Sequence, residues 1–157
     1  RINIPAGVDT GTKLRVSGEG NVGLKGGPPG DLYVFVKVKS DPKLKRDGVT
    51  IYSEITVSYL QAILGDTVQI ITVDGKVDLT IPSGTQPNTT LSLEGKGVPR
   101  LGNPVARGNQ EVLVKVKLPT RITDAERTLL ESLATQYTDQ NLNVSSGLFS
   151  KLFGKES

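Results

Sequence analysis

The chain has no cysteine, no histidine, no methionine and no tryptophan, and only 4% of its residues are aromatic. Each absence closes a class of function. Without cysteine there are no disulfides, no thiolate zinc sites and no thiol nucleophile. Without histidine the commonest general base, the usual partner of a serine nucleophile and the commonest metal ligand are gone. With 3 Phe and 4 Tyr, a core has to be built from Val, Ile and Leu. No run of about 18 apolar residues marks a membrane span, and no basic stretch precedes an apolar one near the N-terminus. Lacking Met and opening in the strand-like Arg1-Ile2-Asn3-Ile4, the sequence reads as a piece of a longer protein.

What is present is turn chemistry. The 157 residues suffice for one ordinary domain or two small ones. Eighteen Gly and nine Pro, many of them clustered, favour short strands joined by turns. The net charge of +3 comes from 19 basic and 16 acidic residues spread along the chain. No Lys/Arg block is interleaved with aromatics, so the pattern is a mixed solvated surface and not a nucleic-acid footprint.

Gly18-Glu19-Gly20-Asn21-Val22-Gly23 spells the G-x-G-x-x-G of dinucleotide-binding enzymes. That motif needs a strand before it and a helix N-terminus after it, where free N–H groups hold the pyrophosphate. Lys13 to Ser17 alternates as a strand should. The sequel, Leu24-Lys25-Gly26-Gly27-Pro28-Pro29-Gly30, cannot open a helix. The glycines have another purpose, which an internal repeat reveals. Ile4-Pro5-Ala6-Gly7 returns as Ile81-Pro82-Ser83-Gly84. At the same offset Thr12 meets Thr89, Leu14 meets Leu91, Gly18 meets Gly95 and Gly20 meets Gly97. After one inserted residue, Gly30 meets Gly108 and Val36-Lys37-Val38-Lys39 meets Val114-Lys115-Val116-Lys117. Only Gly-x-Gly is shared, as expected of a turn or bulge that needs positive φ.

Period-two alternation predicts strands near 1–4, 13–17, 31–39, 49–57, 66–73, 76–81, 90–94 and 110–118. Asp74-Gly75 predicts a two-residue hairpin. Ser58 to Leu64 breaks the alternation and predicts one or two helical turns stopped by Gly65. Ser40-Asp41-Pro42-Lys43 reads as a junction. Thr123-Asp124-Ala125-Glu126 is a capping box, and Leu129, Leu130, Leu133, Ala134 and Tyr137 follow at helical spacing as one apolar stripe. Such a stripe packs on its own chain's sheet or pairs with a second copy. Beyond Tyr137 the chain is polar and reads as a flexible tail, with Leu148-Phe149 and Leu152-Phe153 as a short sticky segment near the end.

Several of these pieces, in this order and spacing, resemble the C-terminal client-binding region of the DnaJ family of J-protein co-chaperones. They are Ile4-Pro5-Ala6-Gly7-Val8-Asp9, Gly18-Glu19-Gly20, Gly27-Pro28-Pro29-Gly30-Asp31-Leu32-Tyr33-Val34, Lys45-Arg46-Asp47-Gly48, Asp74-Gly75, Ile81-Pro82-Ser83-Gly84-Thr85-Gln86 and Gly95-Lys96-Gly97-Val98-Pro99. The match runs to about residue 137, and Leu101-Gly102-Asn103-Pro104-Val105 looks like the cyanobacterial or plastid branch. The resemblance implies a mostly β protein: two tandem β-sandwich-like modules, then a C-terminal amphipathic helix that dimerises. On this division 1–40 is a partial first module, 41–121 the second, 122–137 the dimerisation helix and 138–157 the tail.

The implied function is holding unfolded or extended apolar client polypeptides and delivering them to a DnaK-type chaperone, as a homodimer, with no enzyme activity. Neither nucleic acid nor membrane is implied as a partner. The family's J-domain with its His-Pro-Asp signature is missing, as are the zinc-binding cysteine repeats of type I members, so no cofactor is expected. The host compartment is bacterial cytoplasm or, alternatively, plastid stroma. The candidate client-binding residues are Ile2, Ile4, Val34 and Val36; Val34 carries the family's pocket position. The candidate dimerisation residues are Ile122, Leu129, Leu130, Leu133 and Tyr137. Two other readings stand beside this one: a hydrolase working through Asp9, Glu19 and Asp31 alone, and a purely structural dimerisation module that binds no client.

Overall fold

A computed structural model describes residues 2–23 and 27–136. The chain divides into two compact units, Arg1–Leu118 and Pro119–Ser157, which are taken in turn.

The first unit is almost wholly β. Its strands are β1 (Lys13–Val16), β2 (Leu32–Phe35), β3 (Lys45–Asp47), β4 (Thr50–Ser58), β5 (Asp66–Thr72), β6 (Gly75–Ile81), β7 (Thr90–Leu93), β8 (Pro99–Arg100), β9 (Asn103–Arg107) and β10 (Gln110–Lys117). A two-turn helix, α1 (Tyr59–Leu64), follows β4. Strands β3-β4-β10-β7 form one sheet in that order, with β4 and β10 parallel. Strands β1-β2, β5-β6 and β8-β9 form two-stranded antiparallel sheets.

The core follows from the alternation. Along β4 and β10 every second residue faces inward, placing Val57, Val112 and Val114 against Ile70, Leu79 and Ile81 of the β5–β6 hairpin. Ala62 of α1 joins them. The result is a two-layer sandwich of aliphatic residues, each fully buried side chain contributing roughly 1.5–3 kcal/mol. Helix α1 exists because Ser58 caps it. The Ser58 hydroxyl accepts from Gln61 N–H, and the Gln61 carboxamide oxygen accepts from Ser58 N–H. Gly65, at φ 81°, ends it as expected.

The repeat is realised bond for bond. Leu14 pairs with Val34 in β1–β2, and Leu91 pairs with Val112 in β7–β10. Gly20 N–H donates to Gly30 O (2.7 Å) in the first copy, and Gly97 N–H donates to Gly108 O (2.8 Å) in the second. Gly18 N–H is accepted by the Asp31 carboxylate, and Gly95 N–H by the Asn109 carboxamide, each at 3.2 Å. Gly18 and Gly95 both have positive φ. Gly20 and Gly97 are needed for another reason: a Cβ at either would fall against backbone. Gly11, at φ 89°, has Asn88, at φ 64°, as its twin, and both donate N–H to the matching carbonyls of Val36 and Val114.

Some expectations need correction. Ile2 to Ile4 is no strand. Its repeat twin ends in Ile81, which pairs with Asp66 of β5, and no strand among the described residues takes the β5 role in the first copy. The strand expected over 31–39 pairs only from Leu32 to Phe35, although Val36 still exchanges hydrogen bonds with Gly11 and Thr12. The hairpin turn lies one residue earlier than expected. Thr72 faces Gly75, so Val73-Asp74 turn and Gly75, at φ 118°, opens β6. Three short strands, β3, β8 and β9, have no alternating apolar signal.

In the second unit α2 (Asp124–Ala134) carries the expected capping box. Thr123 Oγ1 accepts from Glu126 N–H and the Glu126 carboxylate accepts from Thr123 N–H. That bond holds the Glu126 carboxyl below its ordinary pKa. Tyr137 and the 138–157 tail lie outside the described residues.

Candidate functional site

The expected client-binding residues of the first module are partly accessible. Ile2 and Ile4 are exposed, whereas Val34 and Val36 are half-buried on one face of β2 and its continuation. Val34 sits opposite Leu14, and its repeat twin Val112 is fully buried. The opposite face of β2 presents Tyr33 and Phe35, with Lys13 Nζ 4.1 Å from the Tyr33 ring centre. Sequence reasoning passed over this aromatic face because alternation marked the valines first.

Two of the three candidate catalytic carboxylates, Asp9 and Asp31, are engaged by loop backbone and arginine. Asp31 accepts from Gly18 N–H and from Arg15 Nε. Asp9 accepts from Thr10 N–H and lies 3.5 Å from the Arg46 guanidinium. Arg46 mainly binds backbone: it donates to the carbonyls of Gly7, Val8 and Gly48, tying the first copy's loop to β3. Among the described residues no group of three or more His, Cys, Asp or Glu could hold a metal ion. No described helix is long and apolar enough to cross a membrane.

A concave feature among the described residues of the first unit lies in the second copy. A cleft of about 990 Å³ opens between β4 and β5. Tyr52 to Ile55 line it from β4, Gln69 to Ile71 from β5, Pro42 to Lys45 from the segment leading into β3, Glu111 and Leu113 from β10, and Thr90 from β7. Its origin is local. The β3–β4 ladder spans only Lys45–Asp47 against Thr50–Tyr52. Upstream of Lys45, Pro42 has no N–H to donate, and the Asp41 carboxylate accepts from Lys43 N–H (2.8 Å) and Leu44 N–H (3.1 Å). This Asx turn peels the chain away from β4. Among the described residues, that side of β4 has no strand partner from Ser53 onward, and neither has the side of β5 that faces away from β6.

One buried amide ties the walls together. Gln110 is wholly buried, and its Nε2 donates to Ser53 Oγ (2.9 Å) and to Ile71 O (3.0 Å). Its Oε1 has no hydrogen-bond partner among the described residues. At the far end of the hairpin, Arg107 makes a bidentate pair with Asp74 (2.7 and 3.1 Å) while donating to Gly97 O. The guanidinium holds the Asp74 carboxyl below its ordinary pKa. On the outer face Lys115 does the same for Glu54. The only early sign of this cleft in the sequence was Asp41-Pro42 just before a strand, which read as a mere junction.

The model of the DnaJ C terminal domain family matches residues 1–119. The chain belongs to the DnaJ C-terminal domain family. A chaperone protein DnaJ of Prochlorococcus marinus subsp. pastoris is 82% identical over the whole chain, which covers 42% of that relative. DnaJ chaperones of a second Prochlorococcus marinus strain and of a Cyanothece species are 63% and 57% identical, over 99% and 98% of the chain and 42% and 41% of their own lengths. The chain thus spans about two-fifths of the curated relatives it matches. Its mostly β fold of small sheets with a C-terminal helix agrees with the architecture expected of a DnaJ C-terminal domain.

In the second unit of this DnaJ C-terminal domain, Ile122 and Leu130 are half-buried, Leu129 is 71% exposed and Leu133 is 44% exposed. Leu129 and Leu133, four residues apart, share one face of α2.

Proposed function

We propose that the chain is the client-holding and dimerising part of a DnaJ-type co-chaperone. It grips extended apolar polypeptide segments without ATP and presents them to a DnaK-type chaperone. The observation that carries this reading is the β4–β5 cleft, where two strand edges without partners among the described residues lie beside aliphatic side chains. An extended client can add as a strand there, its backbone supplying sequence-tolerant hydrogen bonds and its alternate side chains filling the cleft. Ile2, Ile4, Val34 and Val36 are proposed as a second, first-module grip.

Dimerisation is proposed through α2. An isolated helix of eleven residues is marginal in water, so the Leu129–Leu133 face favours a partner helix, with Ile122, Leu130 and Tyr137 extending the contact. Two weak grips per chain, doubled in a dimer, gain avidity when one unfolded client spans them.

The test is a titration of a labelled extended apolar peptide, followed by fluorescence anisotropy, with Ile71→Asp and Val34→Asp variants whose folding is checked by circular dichroism. Ile71 is 42% exposed, so its substitution leaves the core intact. Saturable binding that weakens about tenfold in Ile71→Asp supports the second-module cleft, and a matching loss in a folded Val34→Asp supports the first-module grip. Absence of binding in the parent chain leaves a dimerisation module and refutes the client reading.

A further inference from the structure

The two copies of the repeat are joined by more than the peptide chain. Arg46, in β3, lies outside the repeated stretch, and its guanidinium reaches back to the first copy's loop. Nη1 donates to Val8 O (2.6 Å) and Nη2 to Gly7 O (3.0 Å), with the Asp9 carboxylate 3.5 Å away. Nε donates to Gly48 O (2.8 Å), so the same fork also holds the β3–β4 turn. Gly7 closes the joint from the other side. A Cβ on it would strike Pro99 O and come within 2.9 Å of Leu101 N, both backbone atoms of the second copy. The repeat itself supplies a control. Gly84, the twin of Gly7, has the same left-handed backbone (φ 77° against 89°), yet a Cβ there meets nothing within 4 Å, and its carbonyl accepts from the nearby Gln86 carboxamide. The contacts at Gly7 therefore serve the joint between copies and not the repeated module.

That joint connects the two proposed grips. Gly11 and Thr12 bond the first copy's loop to Val36, and the Thr10 hydroxyl accepts from Val38 N–H. Arg46 directly follows the Pro42–Lys45 wall of the cleft. We propose that Arg46 is a positioning residue for client binding: it locks the first copy to the second, so that one extended client spans the first-module grip and the β4–β5 cleft at a fixed separation. The inference rests on the client-holding reading of both grips. A fixed and matched separation raises the effective concentration of the second grip, whereas a joint held by the Ser40–Lys43 linker alone lowers it.

The experiment uses the full chain and two readouts. Because the chain has no cysteine, spin labels at Ser17→Cys and Thr80→Cys, both exposed positions, report the distance between copies by pulsed electron paramagnetic resonance, with labelled chain diluted in unlabelled. The parent gives one narrow distribution; Arg46→Gln and Gly7→Ala broaden it, and Gly84→Ala does not. Anisotropy titrations then compare a peptide carrying one alternating apolar segment with a peptide carrying two, joined by a Gly/Ser linker. Arg46→Gln leaves the one-segment affinity within about twofold of the parent and weakens the two-segment affinity about tenfold. Arg46→Lys, which keeps the charge but not the fork, carries the same expectations where Arg46→Gln does not fold. A distribution as narrow as the parent's in the folded variant overturns the lock. Equal losses for the two peptides, or an unchanged two-segment affinity beside a broadened distribution, overturn the positioning role. If neither peptide binds the parent, the client-holding reading fails and the positioning role falls with it, while the distance distributions still decide whether Arg46 locks the copies.

Discussion

Replacing Gly97 by alanine tests whether the Gly-x-Gly pairs are structural. Gly97 needs no unusual φ, yet its Cβ would lie 2.6 Å from Gly108 C and 2.7 Å from Asn109 O, and closer still to Val49 O. All three atoms are backbone, in the lead-ins to β4 and β10, where Val98 N–H donates to Val49 O and Ile51 N–H to Asn109 O. Relief requires strand displacement and not a rotamer change, at a cost of about 3 kcal/mol. Gly95 is the internal control: its φ is 67°, but a Cβ there meets nothing within 4 Å. Gly95→Ala costs only the left-handed penalty, about 1–2 kcal/mol. At about 4 °C per kcal/mol for a unit of this size, the melting temperatures fall by about 12 °C and about 4–8 °C. Urea unfolding followed by far-ultraviolet circular dichroism reads both, with unchanged slopes. The reasoning is refuted if Gly97→Ala is as stable as the parent or more stable than Gly95→Ala. Gly20→Ala, the repeat twin, has Gly30 C and Asp31 O each at 2.7 Å and destabilises the first copy by the same mechanism.

Three further outcomes are expected. Gln110→Ala leaves Ile71 O without its buried donor and opens a cavity, costing about 3 kcal/mol, while Gln110→Leu fills the space and costs about 1–2 kcal/mol less; equal losses would mean that the amide does not hold the walls. Arg107→Gln frees Asp74, whose carboxyl resonance then titrates at higher pH by NMR. Because the folded Asp74 pKa is depressed, its contribution is present above the ordinary carboxylate pKa of about 3.9 and is lost as pH falls through the folded value. A midpoint unmoved by Arg107→Gln would show that the pair is not formed in solution. Leu129→Asp/Leu133→Asp gives monomers by sedimentation while Tm of the β unit stays within about 1 °C; an unchanged dimer places the contact elsewhere.

What was legible in the sequence was local or repeated. The capping box at Thr123, the glycine stop at Gly65 and the Gly-x-Gly twins each depend on residues a few positions apart, or on a pattern shown twice. The strand over 110–118, which carries Val112 and Val114, was legible because its apolar residues alternate. The turn at Val73-Asp74 was misplaced by one residue because Asp74-Gly75 fits the commonest hairpin rule, whereas the positive φ here belongs to the first residue of β6. The cleft was not legible for a different reason. Its walls come from Pro42–Lys45, Ser53–Ile55 and Gln69–Ile71, and a cleft exists only because the first of these leaves the ladder. Nor does Gln110 announce itself: a glutamine opening a strand carries no sign that Ser53 on the neighbouring strand and Ile71 across the sandwich will both take its amide.

Unpartnered strand edges recruit other chains, and natural sheets usually blunt them with lysine, proline or short strands. The segment leading to β4 carries each of these devices: Pro42 precedes a strand, β3, of only three residues, and Lys43 and Lys45 stand at its start. Gln110 covers part of the other edge by occupying Ile71 O. An edge so guarded resists pairing with another copy of itself, since two such edges would bring their lysines together. Lys43→Glu/Lys45→Glu therefore changes the salt dependence of self-association, measured by sedimentation at low and high salt; an unchanged dependence would show that these lysines do not guard the edge.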